Sequence, residues 1–296
     1  MTRIAHGNQT MTSQHMKAQT VNAQPVNAQS IKRGARVVAL PSRTTVADRI
    51  GFGRLVQIEA RKLLDTRAGR WLLGISLASM VAIAAVVAVF YGPVSKALGQ
   101  SWMDSAPLVG MLLTFLVPAM VILLFTTEWT QRTALTTFTL EPRRGRVVAA
   151  KSAVALFVAV ACWLAQYAFG AIAALVGGAS RGIEVSWHTD WKVMLGMLAS
   201  FLLTMAMAAG FAMCFMNTAA AIVTYLALPS VLGLVTLAGS GVQKVMEWID
   251  LSNASIPLVT GEWLGKDVWQ LLTATVLWVV IPLVVGVRRQ LTTEAK

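Results

Sequence analysis

The chain has 296 residues, 56% of them hydrophobic and only 13% charged, with a mean hydropathy of +0.65. Soluble domains carry about 25% charged residues, so this chain has too little polar surface to solvate a globule and lipid has to cover the rest. The net charge of +12 and pI near 10.4 would suit nucleic acid, but the distribution of the charges assigns them to membrane topology and no nucleic-acid partner is expected.

In chain order, residues 1–45 predict a disordered basic extension. They are rich in Gln, Asn, Ser and Thr, repeat Val-Asn-Ala-Gln at 21–24 and 26–29, and lack the apolar run of a signal peptide. Residues 46–67 predict an interfacial amphipathic helix. At 100° per residue, Phe52, Leu55, Val56, Ala60 and Leu63 share one face, and Arg54, Gln57, Arg61 and Asp65 share the other. Glu59 falls on the apolar face with Lys62 one turn later. It either snorkels at the interface or docks against another element on the same side of the membrane.

Six spans follow, at about 71–93, 106–127, 151–178, 194–214, 219–239 and 268–287. Four correspond to charge-free intervals of 25, 23, 29 and 20 residues, each sufficient for a bilayer core. The fifth interval, Val193 to Gln243, has 51 residues and is too long for one crossing, so it predicts a turn near Met216-Asn217-Thr218. Pro118, Pro229 and Pro282 fall inside spans two, five and six and predict kinks at possible gates. Between spans five and six, 240–267 predicts an external loop whose Val242, Val245, Met246 and Ile249 recur at helical spacing. Trp248 and Trp263 suit headgroup depth.

Basic residues outnumber acidic ones by 12 to 3 in 1–70, by 5 to 2 in 127–151 and by 3 to 1 in 288–296. In the alternate loops the two signs balance, or acid prevails. By the positive-inside rule the first set faces the cytoplasm, which puts both termini there and gives an all-α, multi-pass protein of the cytoplasmic (inner) membrane.

Chemistry-bearing constellations are sparse. His6 and His15 lie in the extension and His188 in an external loop, while Cys162 and Cys214 sit in apolar runs as packing residues, so neither a metal site nor a catalytic site is expected. The spans lack charged residues between their ends, which argues against proton or sodium coupling within this chain. Gly261-Glu-Trp-Leu-Gly265-Lys266-Asp267 is one residue short of a phosphate-binding loop and lacks its Ser/Thr.

The informative segment is 128–151. Glu128 opens a Thr-rich stretch with Arg132, Thr133, Thr136 and Thr137, predicted as a short helix over 128–140 that Pro142 stops. Arg143, Arg144, Arg146 and Lys151 follow, and these arginines alone would also suit an ordinary positive-inside loop gripping lipid phosphates. This order resembles the cytoplasmic loop of type-2 ATP-binding-cassette permeases, particularly actinobacterial ones, whose surface helix with its Glu and Lys or Arg is matched by Glu59 and Lys62. Arg132 departs from the family's usual Gly. The resemblance implies a coupling helix in the loop 128–150 and a homodimer or a pairing with a paralogous permease. It also implies a separate cytosolic ATPase that binds ATP and Mg, with no cofactor in this chain, and export of an amphiphile, antibiotic, lipid or peptide. The alternative is a membrane-anchored interaction or sensor protein that uses the same basic loop to bind a partner or lipid.

Overall fold

The computed structural model describes residues 51–131, 133, 143–236 and 239–293. The expected extension at 1–45, together with Arg132, Thr136, Thr137 and Pro142, lies outside the described residues. Among those described there are helices and no strands, and six of the helices are long and apolar enough to cross a membrane.

Helix α1 (Phe52–Asp65) turns Leu55, Glu59 and Leu63 inward at helical spacing and exposes Arg54 and Arg61. Thr66 separates it from α2 (Arg67–Val89), the first span, and the Thr66 hydroxyl accepts from Gly69 N–H as the N-cap. A short helix α3 (Tyr91–Leu98), a 3₁₀ turn (Trp102–Ser105) and α4 (Ala106–Val109) then lead to α5 (Leu113–Thr130), the second span. The sequence pattern suggested one helix over 106–127; instead the chain breaks at 110–112 and the span runs on to 130. At this break the Gln166 amide lies over Gly110, where a Cβ would stand 1.6 Å from the Gln166 Oε1.

The third span, α6 (Arg144–Arg181), has 38 residues. At ~1.5 Å per residue it is nearly twice the ~30 Å apolar core of a bilayer, so it projects beyond the core and absorbs 144–150 of the expected loop. Spans four and five, α7 (Trp191–Phe215) and α8 (Thr218–Thr236), are divided at Met216, a left-handed residue with φ 50°, and at Asn217, whose Oδ1 accepts from Ala220 N–H. The intervening segment forms α9 (Ser240–Ile249), α10 (Leu251–Ala254) and α11 (Ile256–Thr260). The sixth span, α12 (Asp267–Thr292), contains a π-helical stretch, Val276–Val280, just before Pro282. A π turn beside a proline re-registers the helix where the ring removes a donor.

Two devices hold these helices. The first is close approach at small residues. A Cβ on Gly170 of α6 would lie 2.9 Å from Ala106 Cα, and one on Gly286 of α12 would lie 2.6 Å from Met213 Cβ of α7. The second is capping of helix C-terminal carbonyls by a basic side chain of another element. Arg181 donates to the carbonyls of Ala88 and Val89 at the end of α2, and Arg289 donates to Cys214 O at the end of α7. Arg144 donates to Thr293 O, 2.6 Å away, at the end of α12. Each cation meets the negative end of a helix dipole and fills carbonyls that have no intrahelical donor.

Glycine position therefore decides the sign of a substitution. Gly170→Ala should destabilise the folded chain by about 1–3 kcal/mol through overpacking. Gly74→Ala, whose Cβ would meet nothing within 4 Å, should be neutral or stabilise by up to about 1 kcal/mol. Denaturant titration in mixed micelles compares the two.

Candidate functional site

The largest concentration of buried charge among the described residues lies where α1 meets the last turn of α5 and the second turn of α6. Glu59 projects from α1 on its buried face, as its spacing from Leu55 and Leu63 requires. Glu128 stands near the C-terminus of α5 and Lys151 two turns into α6. Lys62, one turn beyond Glu59, closes the group.

Lys62 Nζ is 2.7 Å from Glu59 Oε1 and 2.7 Å from Glu128 Oε1. Lys151 Nζ is 3.2 Å from Glu128 Oε2 and 3.5 Å from Glu59 Oε2. Two ammoniums thus alternate with two carboxylates, and the group is formally neutral. Lys151 Nζ also donates to Leu124 O at 2.7 Å, one turn before Glu128. The side chains of Glu59, Lys151 and Glu128 are 1%, 5% and 11% exposed, while that of Lys62 is 41% exposed. Three charges are therefore sealed and the fourth reaches solvent.

Each position has an electrostatic reason. A carboxylate at a helix C-terminus opposes the helix dipole, so Glu128 requires the two lysines beside it. A lone carboxylate at the Glu59 position would face a low-dielectric surrounding without compensation; in place of snorkelling it is enclosed by Lys62 and Lys151. Burial pulls the Lys62 ammonium down, but its hydrogen bonds to Glu128 and Glu59 and their charges outweigh this and hold its pKa above the ordinary value of 10.5. The same end of α5 is held from another side by hydroxyls. Thr126 Oγ1 lies 2.7 Å and Thr130 Oγ1 3.2 Å from Thr218 Oγ1 at the start of α8. The end of span two is thus fastened to α1, α6 and α8 together.

The residues singled out in the sequence divide into three groups. Glu59, Lys62, Glu128 and Lys151 converge. Glu128 belongs to the last turn of α5, and the Thr133 N–H donates back to its carbonyl at 2.9 Å to close that helix, while residues 134–140 of the helix expected over 128–140 lie outside the described residues. Arg143, exposed, and the half-buried Arg144 and Arg146 open α6, with Arg144 engaged by the end of α12. Arg132 and Pro142 lie outside the described residues. Of the prolines, Pro118 and Pro282 are buried within helices, and Pro229 lines a cavity. The sequence reading missed the carbonyl of Leu124 and the hydroxyls of Thr126 and Thr218, which carry no signal of their own. It also passed over Trp163, which stands deep in a charge-free stretch instead of near an end where tryptophan is customary.

Among the described residues no group of three or more His, Cys, Asp or Glu could hold a metal ion. Every carboxylate of the cluster faces an ammonium, so the arrangement suits mechanical linkage better than proton transfer. Comparison with protein-family models, curated proteins and solved structures gives no match.

Removing one partner of a buried pair leaves an uncompensated charge, at a cost of about 3–5 kcal/mol. Lys151→Met should therefore destabilise the fold by that order, whereas Lys62→Met, at a half-exposed position, should cost about 1 kcal/mol. Thermal melts of the two variants in detergent would reveal the ranking. The Lys62 contribution also depends on pH. Because its folded pKa is raised, the stabilisation is complete below the unfolded value of 10.5 and is lost as pH rises through the higher folded value. Wild type should therefore lose stability in that alkaline range faster than Lys62→Met does.

Proposed function

We propose that this chain is the membrane-spanning permease subunit of an ATP-binding-cassette transporter of the type-2 class, driven by a separate cytosolic ATPase that docks at the end carrying α1. The observation that carries the reading is the four-residue charge cluster. It joins a surface helix to spans two and three beside 132–142, the segment that connects those spans. A push on that segment would reach both spans at once through Glu128 and Lys151, and α1 would move with them.

In this reading the basic end faces the cytoplasm, both termini lie there, α1 rests at the inner leaflet and the protein resides in the inner membrane. The coupling residues take two roles. Thr133 and Arg143, both exposed, belong to the surface offered to the ATPase, with Arg132, Pro142 and Arg146 in the same stretch. Glu59, Lys62, Glu128 and Lys151 transmit force from inside, and Arg144 ties the start of span three to the end of span six. ATP and Mg belong to the partner. The cargo would be an amphiphile moved outward, with a second copy or a paralogous permease completing the pathway. Pro229 and the π turn before Pro282 are where spans five and six would flex.

The test is proximity together with coupling. Thr133→Cys, in a chain whose Cys162 and Cys214 are changed to alanine, is co-expressed with the ATPase encoded nearest to it and treated with a short bifunctional thiol reagent. A permease–ATPase adduct, with ATP hydrolysis that depends on the permease, is the expected result. An ATPase that neither crosslinks nor changes its turnover would contradict the proposal and favour a sensor or anchor.

A further inference from the structure

One half-open cavity of the bundle is electrostatically one-sided. Its volume is about 560 Å³, within the range usual for a small-molecule site. Phe115 of α5, Tyr225 and Pro229 of α8 and Trp278 of α12 stand on its wall. The segment between spans five and six adds Asp250, Ser252 and Ser255.

Asp250 is 6% exposed, and no Lys, Arg or His among the described residues lines the cavity or pairs with it. Its Oδ1 accepts from Ser252 N–H and its Oδ2 from the Asn253 amide, both at 2.9 Å. Both donors are neutral, and α10, which Asp250 caps, is a single turn of four residues with little dipole to offer. A negative charge is thus left without a counter-charge where burial makes it costly. A second cavity of the same volume has Asp104 and Asp190 on its wall, but the first is half-buried and the second exposed, so water solvates them. Burial sets Asp250 apart. Trp278, in the π-helical stretch of α12, donates its Nε1–H to Ile249 O at 2.7 Å and so fixes the residue that precedes Asp250.

The hydroxyls of this wall have the same bias. A hydroxyl has one proton to donate and two lone pairs with which to accept. Five of the seven hydroxyls here have committed the proton to a backbone carbonyl: Thr114 to Met111, Thr204 to Ser200, Tyr225 to Thr114, Ser230 to Leu226 and Ser255 to Ser252. What those oxygens retain is lone pairs. Ser200 and Ser252 are free to turn and can accept as well. The wall therefore offers acceptors and one carboxylate, set among leucine, methionine and aromatic side chains. Aromatic rings also attract a cation over their faces.

We infer that this cavity binds an amphiphilic organic amine in its ammonium form. The ammonium N–H groups donate to Asp250 and to the wall hydroxyls, and the hydrocarbon lies along Leu203, Leu226 and Trp278. An uncharged amphiphile would leave Asp250 uncompensated, and a bare inorganic cation would leave the apolar part of the space unfilled. The inference concerns binding by this chain and does not rest on its being driven by an ATPase.

The test uses the purified full-length chain in phosphatidylcholine nanodiscs and a primary alkylamine bearing a diazirine in its chain. Photolabelling followed by peptide mass spectrometry should mark the α8 and α12 residues of the wall. Excess unlabelled decylamine should remove the label, and decanol should not. Asp250→Asn keeps an acceptor to cap α10 and takes away the charge, and should weaken binding about tenfold or more. Asp190→Asn, at the second cavity, should leave binding unchanged. Ser200→Leu fills part of the cavity and should abolish labelling even if Asp250→Asn proves too unstable to purify. Absence of label on the wall, equal competition by decanol, or undiminished labelling of Asp250→Asn and Ser200→Leu would each overturn the assignment. Loss of labelling in Asp190→Asn alone would place the amine in the other cavity and overturn it too.

Discussion

The structure depends on a neutral square of buried charge. Glu59, Lys62, Glu128 and Lys151 come from three helices that also share an apolar contact through Leu63, Leu124 and Val154. The apolar face of α1 is short and would slide on a lipid surface or on any greasy helix. A carboxylate in the middle of that face, satisfied only by Lys151 and Lys62, fixes its rotation and its position along the bundle. Buried ion pairs add little net stability over an apolar core of the same shape. Their value here is that one alignment pairs each carboxylate with both ammoniums, and a slip would strand a charge.

The same logic extends to the ends of the other helices. Arg181, Arg289 and Arg144 each place a guanidinium on the terminal carbonyls of a different helix. Those carbonyls would otherwise have no donor where the chain leaves an apolar layer. Between such fastenings glycines such as Gly170 and Gly286 allow close approach beside the Met, Val, Leu and Phe side chains of a shared apolar core. The result is a bundle fastened at several helix ends, with Pro229 and the π turn inside spans five and six.

Much of the frame was legible in the sequence, because charge-free length and helical period are local properties. The division at Met216-Asn217 followed from length alone, and the inward turn of Glu59 followed from its phase with Leu55 and Leu63. What stayed hidden was non-local. Glu128 reads in sequence as the start of a loop helix, and only the lysines of α1 and α6 explain why it ends a span instead. Lys151 reads as an interfacial lysine, and nothing near it announces Glu59 as a partner 92 residues away. The break at 110–112 leaves no periodic trace, whereas the π turn in span six lies beside Pro282, which the sequence does show.

The central claim is that the charge square makes α1 and the start of span three a single rigid unit. Spin labels at Arg54 and Ala149, both exposed, in a chain whose Cys162 and Cys214 are changed to alanine, allow the distance between them to be measured by double electron–electron resonance. The account predicts one narrow distance in the otherwise wild-type chain, and a broad, lengthened distribution when Lys151→Met is added. A distribution that is already broad in the wild-type background, or that Lys151→Met leaves unchanged, would contradict it.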